Sequence, residues 1–146
     1  MKVKIVNKSP FELPQYETPG AAAFDIRASL GKDMSVEIYP GGTALIDTDL
    51  YVELPPGTEL QIRSRSGLAA KHKIIVLNAP GTIDSDYRGQ IKIILMNLGT
   101  KPYLVSHGDR IAQGVLAPYI KVEWEEVSTL SDTERGEGGF GHTGIN

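Results

Sequence analysis

An all-β fold, a sandwich or barrel of short strands, is what this sequence predicts, and three observations predict it. Apolar and polar residues alternate over short runs, the pattern of a strand with one buried face. The 16 glycines and 9 prolines are spread along the 146 residues, so turns recur throughout. No window sustains the 3.6-residue period of a long amphipathic helix. Strand-turn-strand at this spacing is the signature of sandwiches and barrels.

The composition bounds the function. One domain of this length can bury a real core. Apolar content is ordinary at 40%, and no apolar run approaches the ~20 residues that span a bilayer. The opening Met1–Asn7 lacks the apolar core of a signal peptide. Cysteine is absent, which excludes disulfides and thiolate metal sites and suits a reducing compartment. A cytoplasmic protein with no membrane partner is therefore expected. The net charge of −3 argues against sequence-independent binding of nucleic acid, which needs a basic surface. An anionic small ligand would require cations gathered locally.

Taken in order, Lys2–Val6 alternates and reads as the first strand. Pro10, Pro14 and Pro19 interrupt the next stretch, so Asn7–Gly20 reads as an extended, edge-like connection. In Gly20–Ala28, Phe24 and Ile26 alternate with Asp25 and Arg27, which favours a strand over the helix that three alanines would suggest. Asp25 lies on the polar face and by itself reads as a solvated strand residue. Met34–Ile38, Thr43–Asp47, Leu50–Leu54 and Glu59–Arg63 are scaffold strands, separated by Pro40-Gly41-Gly42 and Pro55-Pro56-Gly57. Arg65-Ser66-Gly67 then opens a helix-compatible piece, Leu68–Lys71. Bare N–H groups beside an arginine make an anion site; an N-cap serine with a surface arginine is the plainer reading.

The chemistry concentrates in Gly81-Thr-Ile-Asp-Ser-Asp-Tyr-Arg-Gly89. Asp84 and Asp86 sit beside Tyr87 and Arg88 on a hairpin-like loop anchored by Ile74–Leu77 before it and Ile91–Met96 after it. A polar loop on a rigid scaffold is where binding and catalytic groups gather. Pro102–Val105 and Gly108–Leu116 read as further strands, with Gln113 inside an apolar run as either a hydrogen-bonding node or a ligand contact. Lys121–Val127 reads as a last strand, packed by Trp124. His72, His107 and His142 lie far apart without metal-ligand spacing. The final Arg135-Gly-Glu-Gly-Gly-Phe-Gly-His-Thr-Gly144 carries five glycines in ten residues. It is either a disordered tail or a clamp that closes over ligand, with Arg135 for charge and Phe140 for stacking.

Five stretches stand in fixed order: Gly20–Ala28, Arg65–His72, Gly81–Asn97, Gly108–Gln113 and Arg135–Gly144. Together they resemble the five motifs of the trimeric dUTPase (deoxyuridine triphosphate nucleotidohydrolase) family, over nearly the whole chain. Gly-x-Ile-Asp-x-Asp-Tyr-Arg-Gly, Gly-Asp-Arg-Ile-Ala-Gln and Arg-Gly-x-Gly-Gly-Phe-Gly-x-Thr-Gly are each specific. Departures are Ser64 where a proline is usual, Phe24 where a tyrosine or leucine is usual, and His142 where a serine is common.

The resemblance implies an all-β subunit, a distorted jelly-roll or β-clip-like barrel spanning 1–130. A flexible Gly-rich arm, 131–146, closes over the active site. It implies a homotrimer with sites shared between chains, and dUTP diphosphatase activity: dUTP and water give dUMP and diphosphate with Mg2+. The product feeds thymidylate synthesis, and removal of dUTP limits uracil in DNA. Asp84 matches the general base. Arg65, Ser66, Gly67 and Gln113 match phosphate contacts, and Arg135, Gly141 and Thr143 match contacts from the arm. Phe140 matches the ring that stacks on uracil. Asn78, Thr82 and Ile83 match the uracil edge, and Tyr87 the deoxyribose. Asp25 matches a carboxylate that orders water around the metal rather than binding it directly. Arg88 and Arg110 read as structural ion-pair residues, and Asp86 as a residue holding the loop. Two other readings stay open: a dCTP deaminase, which shares the fold, and a non-catalytic trimeric β module.

Overall fold

The computed structural model describes residues 1–139. Among them are eleven strands and one short helix, and every strand pairing is antiparallel. The strands are β1 Lys4–Asn7, β2 Phe24–Arg27, β3 Ser35–Ile38, β4 Thr43–Asp47, β5 Leu50–Glu53 and β6 Thr58–Arg63. Helix α1, Ser66–His72, comes next, and then β7 Ile74–Val76, β8 Gly81–Ile83, β9 Lys92–Asn97, β10 Tyr103–Ser106 and β11 Arg110–Pro118. They form a four-stranded sheet in the order β2-β11-β6-β8, a three-stranded sheet β4-β9-β7, and the pairs β1-β5 and β10-β3. Among the described residues, no helix is long and apolar enough to cross a membrane.

Alternation in the sequence becomes burial on one face. In β6, Thr58, Leu60 and Ile62 point inward while Glu59, Gln61 and Arg63 do not. In β9, Ile93, Leu95 and Asn97 are buried. The two apolar residues join Ile26, Ile46, Ile74, Val105 and Ile111 in one cluster. Asn97 is a polar member of this interior, 0% exposed. Its amide donates to the carbonyls of Ile38 and Lys101, both at 2.8 Å, and its Oδ1 accepts from the Gly99 N–H at 2.8 Å. Burial is tolerated because each polar atom has a partner. Asn97→Ala strands those three groups and is expected to cost about 3 kcal/mol, read as a lowered midpoint in urea.

Three expectations change. The stretch between Ile74–Leu77 and Ile91–Met96 is more than a hairpin loop. β7 and β9 do pair, Ile75 opposite Met96, but the chain leaves their sheet between them. It adds β8 to the other sheet, Gln61 opposite Thr82, and then returns. The turn into β8 passes a cis Ala79–Pro80 bond. Gly81 leaves no room for a side chain there: a Cβ would stand 3.0 Å from Asn78 Nδ2 and 3.4 Å from Ile62 Cβ. Residues 121–127 alternate as a strand would, yet have no strand partner among the described residues. Trp124, expected to pack, is 88% exposed. Finally, Ser66 is the first helical residue of α1 rather than its cap. Arg65 holds the N-cap position with extended backbone and makes no side-chain cap bond.

Ser64 and Phe24, the two departures in the core motifs, both have local partners. Ser64 Oγ accepts the Val76 N–H at 2.8 Å, tying the end of β6 to β7. The Phe24 ring lies over the bare backbone of Gly114 and meets Tyr16 edge-on, centroids 5.7 Å apart.

Candidate functional site

The polar residues singled out in the sequence gather in two places, not one. The first is built on β2 and β11. Their register sets Asp25 opposite Gln113, and Gln113 opposite Arg63 of β6. The Asp25 side chain is only 10% exposed, which corrects its reading as a solvated residue. A carboxylate that deep needs compensation, and it has three donors. Arg65 grips it with Nε at 3.0 Å and Nη2 at 3.4 Å. Arg110 Nη1 stands 3.2 Å from Oδ2, and the Gln113 amide donates to Oδ1 at 3.3 Å. Gln113 is therefore a hydrogen-bonding node.

Chain geometry explains how Arg65 reaches Asp25. It sits just past β6, before α1 begins, so its side chain folds back across the start of β11. There its Nη1 donates to the Arg110 carbonyl at 2.9 Å. Arg110 also meets Glu17 at 3.4 Å and has the ion-pair role expected of it. Glu17 carried no distinct signal in the sequence beyond its place in the Pro-interrupted segment. That segment turns out to line an open cavity of about 310 Å³ with Asp25, Arg27 and Arg110. Ser66 and Gly67 stand beside this cluster at the start of α1, and both are exposed.

The second place is the loop after β8. Asp84 is exposed there and borders an open cavity of about 380 Å³ with Glu59, Thr82, Tyr119 and Lys121. The loop holds its shape through its own groups. The Tyr87 N–H donates to the Asp84 carbonyl at 3.2 Å, and the Tyr87 hydroxyl donates to the Gln90 carbonyl at 3.0 Å. Arg88 Nη1 donates to the carbonyls of Ser85 and Tyr87 at 2.8 and 3.1 Å. Arg88 is thus structural through carbonyls rather than through the ion pair expected. Gly89 leaves room for the Tyr87 ring: a Cβ there would meet it, with Cε2 at 2.8 Å, and would displace it from this position. Tyr87 itself stays 43% exposed. Ile83 ends β8, and Asn78 lies three residues ahead of it.

The two clusters lie at opposite corners of one sheet. Ile83 pairs with Leu60, which sets Asp84 beside Glu59, whereas Gln113 pairs with Arg63. Along β6 that is about 13 Å at ~3.3 Å per residue. Across the sheet, β2 and β8 are its two edges, three strand spacings or about 14 Å apart. Asp84 therefore stands roughly 20 Å from Asp25, farther than a triphosphate reaches. Arg135 joins neither cluster; its Nε donates to the Gly138 carbonyl at 2.7 Å in a local turn. Phe140, Gly141, His142 and Thr143 lie outside the described residues.

Among the described residues, no three His, Cys, Asp or Glu side chains are grouped as a metal would require. Asp25 has both carboxylate oxygens engaged by guanidinium or amide donors. The donor set does not fit direct ligation of Mg2+, but it is compatible with contact through the ion's retained water.

An antiparallel β subunit that carries the five motifs in order resembles one class, the all-β hydrolases of nucleotide metabolism. A family model described as dUTPase matches residues 9–144, and the chain belongs to the dUTPase family. It is 52% identical over 147 residues to the deoxyuridine 5'-triphosphate nucleotidohydrolase of Anaplasma marginale, covering 99% of both chains. It is 53% identical over 133 residues to the enzyme of that name from Desulfotalea psychrophila, covering 91% of this chain and 87% of that one. Among solved structures, the Staphylococcus bacteriophage 80alpha dUTPase G164S mutant with dUpNHpp superposes with a TM-score of 0.86 at 26% identity, covering 99% of each chain. The fold thus resembles known dUTPase subunits, as the sequence motifs imply.

Proposed function

We propose that this protein hydrolyses dUTP to dUMP and diphosphate, in the cytoplasm, as a homotrimer whose sites are each assembled from more than one chain. The observation that carries the reading is the split between the clusters. An exposed carboxylate suited to a base and a cation cluster suited to phosphates cannot meet on one substrate within one chain. They can meet where Asp84 of one copy faces Arg65 and Gln113 of the next. Two apolar surfaces support such assembly. The outward face of the three-stranded sheet carries exposed Leu45 beside half-buried Ile94 and Met96. Ile120, Val122 and Trp124 stand exposed on an extended segment, with alternation suited to packing on another copy.

In this reading Asp84 orients a water for in-line attack on the α-phosphorus and takes its proton. Arg65, Ser66, the Gly67 backbone and Gln113 hold the phosphate chain. A triphosphate competes with Asp25 for the guanidinium of Arg65. With Arg65 drawn to phosphate, Asp25 would have lone pairs free to accept from water held by Mg2+. A bound Mg2+ would offset phosphate charge; the remaining stabilisation comes from the side chains. Asn78 and the backbone of Gly81–Ile83, with Thr82, read the uracil edge, and Tyr87 packs on the deoxyribose. The arm, 131–146, brings Arg135, Gly141 and Thr143 to the phosphates and Phe140 to the base. Truncation before Arg135 is expected to remove most turnover and leave the thermal transition and oligomeric state in place. A melted or monomeric product would make the arm structural instead.

The test is diphosphate release with Mg2+ from dUTP, dTTP, dCTP and UTP in parallel, with ammonia release from dCTP measured beside it. Release confined to dUTP is expected. Ammonia from dCTP would favour the deaminase, and binding without any release would favour the non-catalytic module.

A further inference from the structure

Behind Gln90, whose carbonyl accepts the Tyr87 hydroxyl, lies a residue that no motif contains. Asp49, in the two-residue connection between β4 and β5, has left-handed backbone at φ 56°. Its carboxylate is shared: Oδ2 accepts the Ser29 hydroxyl at 2.6 Å, and Oδ1 accepts the Gln90 side-chain amide at 2.9 Å. Its neighbours grip the same point of the chain. Thr48 Oγ1 donates to the Ile91 carbonyl at 2.6 Å, and the Ile91 N–H donates to the Leu50 carbonyl at 2.8 Å. The Thr48–Leu50 turn thus clamps Gln90 and Ile91, the root at which the Asp84 loop re-enters the scaffold. Gln90 in turn presents the carbonyl that receives the Tyr87 hydroxyl.

We propose that Asp49 and Gln90 form a positioning pair that fixes the Tyr87 ring, so that Asp49 sets the enzyme's preference for a deoxyribose over a ribose triphosphate without touching substrate. The proposal rests on the reading of Tyr87 as the sugar-facing residue. A backbone carbonyl fixes the ring only if that carbonyl is itself fixed. Gln90 is half-buried, and its side chain is moored to the turn that follows β4, just beyond the end of the β4–β9 ladder where Asp47 faces Lys92. That turn's geometry is unusual for a residue with a Cβ. Loss of the mooring lets the loop root shift, and a shift of about 1 Å at a positioned group costs up to about 100-fold. The loss falls on discrimination and KM for dUTP more than on kcat, because the backbone turn that carries Asp84 is closed by the Tyr87 N–H on the Asp84 carbonyl and by Arg88 on the Ser85 and Tyr87 carbonyls, none of which uses the Asp49–Gln90 bond.

The backbone and the carboxylate of Asp49 are separable. Asp49→Gly removes the carboxylate and leaves a residue at home at positive φ. Asp49→Asn keeps an acceptor for Gln90 and also tolerates this φ. The ratio of kcat/KM for dUTP to that for UTP is measured for both, with Tyr87→Ala alongside, and the Tyr87 ring resonance is followed by NMR in protein with labelled tyrosine. Asp49→Gly is expected to shift the ring signal and lower the ratio about 10- to 100-fold, while Asp49→Asn retains both. An unchanged ring signal in Asp49→Gly overturns the positioning role, whatever the kinetics. A shifted ring with an unchanged ratio, in an enzyme where Tyr87→Ala does lower it, overturns the role of Asp49 in selection. If Tyr87→Ala leaves the ratio unchanged, the sugar-facing reading of Tyr87 fails, and the ring signal alone decides the positioning. Should Asp49→Gly not fold, Gln90→Met removes the same hydrogen bond and keeps the carbonyl that Tyr87 uses, with the same outcomes.

Discussion

Asp84→Asn is expected to lower turnover of dUTP about 10²–10⁴-fold, the range for loss of a general base, while dUTP still binds. The side chain is nearly isosteric, and its site gives no reason for the fold to respond. Asp84 is exposed, and the backbone contact that shapes the loop runs from the Tyr87 N–H to the Asp84 carbonyl, which the substitution leaves alone. An amide can still hydrogen-bond a water, so the water's place is kept and only its proton acceptor is lost. The effect should therefore appear in kcat with Kd for substrate little changed, the pattern of an interaction made in the transition state. Single-turnover diphosphate release and calorimetric binding of dUTP to the variant separate the two. Full turnover by the Asp84→Asn variant would remove Asp84 as the base. Its neighbours in the cavity, Glu59 and Asp86, would then be the carboxylates to test.

Burial decides how much of this could be read from the sequence. Strands with one buried face, such as β4 Thr43–Asp47 and β6 Thr58–Arg63, show their period of two and their bounding turns. The motif residues were legible because their spacing is specific. Partnership was not. Nothing local says that Gly81–Ile83 pairs with β6 rather than with its neighbours in sequence, since three residues carry too little pattern to define a strand. Asp25 alternates as an outward residue should. Its burial comes from Arg65, Arg110 and Gln113, which converge from 40 and more positions away. Residues 121–127 fail in the opposite sense. The alternation of Val122, Trp124 and their neighbours is real, but no partner strand lies among the described residues. A pattern that demands burial and finds none among the described residues is consistent with the assembly of copies proposed above. Asp49 was silent because an aspartate in a turn is common, and its role depends on a glutamine 41 positions further on.

Mixing two inactive variants is expected to restore activity, and this is the sharpest consequence of the two separated clusters. Asp84→Asn removes the base and leaves Arg65 intact; Arg65→Ala removes the phosphate grip and leaves Asp84 intact. If a site took both residues from one chain, no mixture could contain a working site, because every chain lacks one of them. If the site takes Asp84 from one copy and Arg65 from the next, mixed trimers combine the two intact halves. With equal amounts and random assembly, about a quarter of sites are complete, the product of two independent halves in a symmetric ring. The rise should be from near nothing to about a quarter of the unmodified activity, measured as diphosphate release after the variants are unfolded and refolded together. Simple mixing of preformed trimers serves as the control and should stay inactive while subunits do not exchange. Arg65→Ala also releases Asp25 from its main partner, so the thermal transition of that variant is followed in parallel; Arg65→Gln is the alternative where alanine destabilises the cluster. Refolded mixtures that contain both variants in one trimer and still show no recovery would place each site within a single chain. That outcome would require the Asp84 loop or the Arg65 cluster to cross roughly 20 Å, against the strand register that holds both ends of β6.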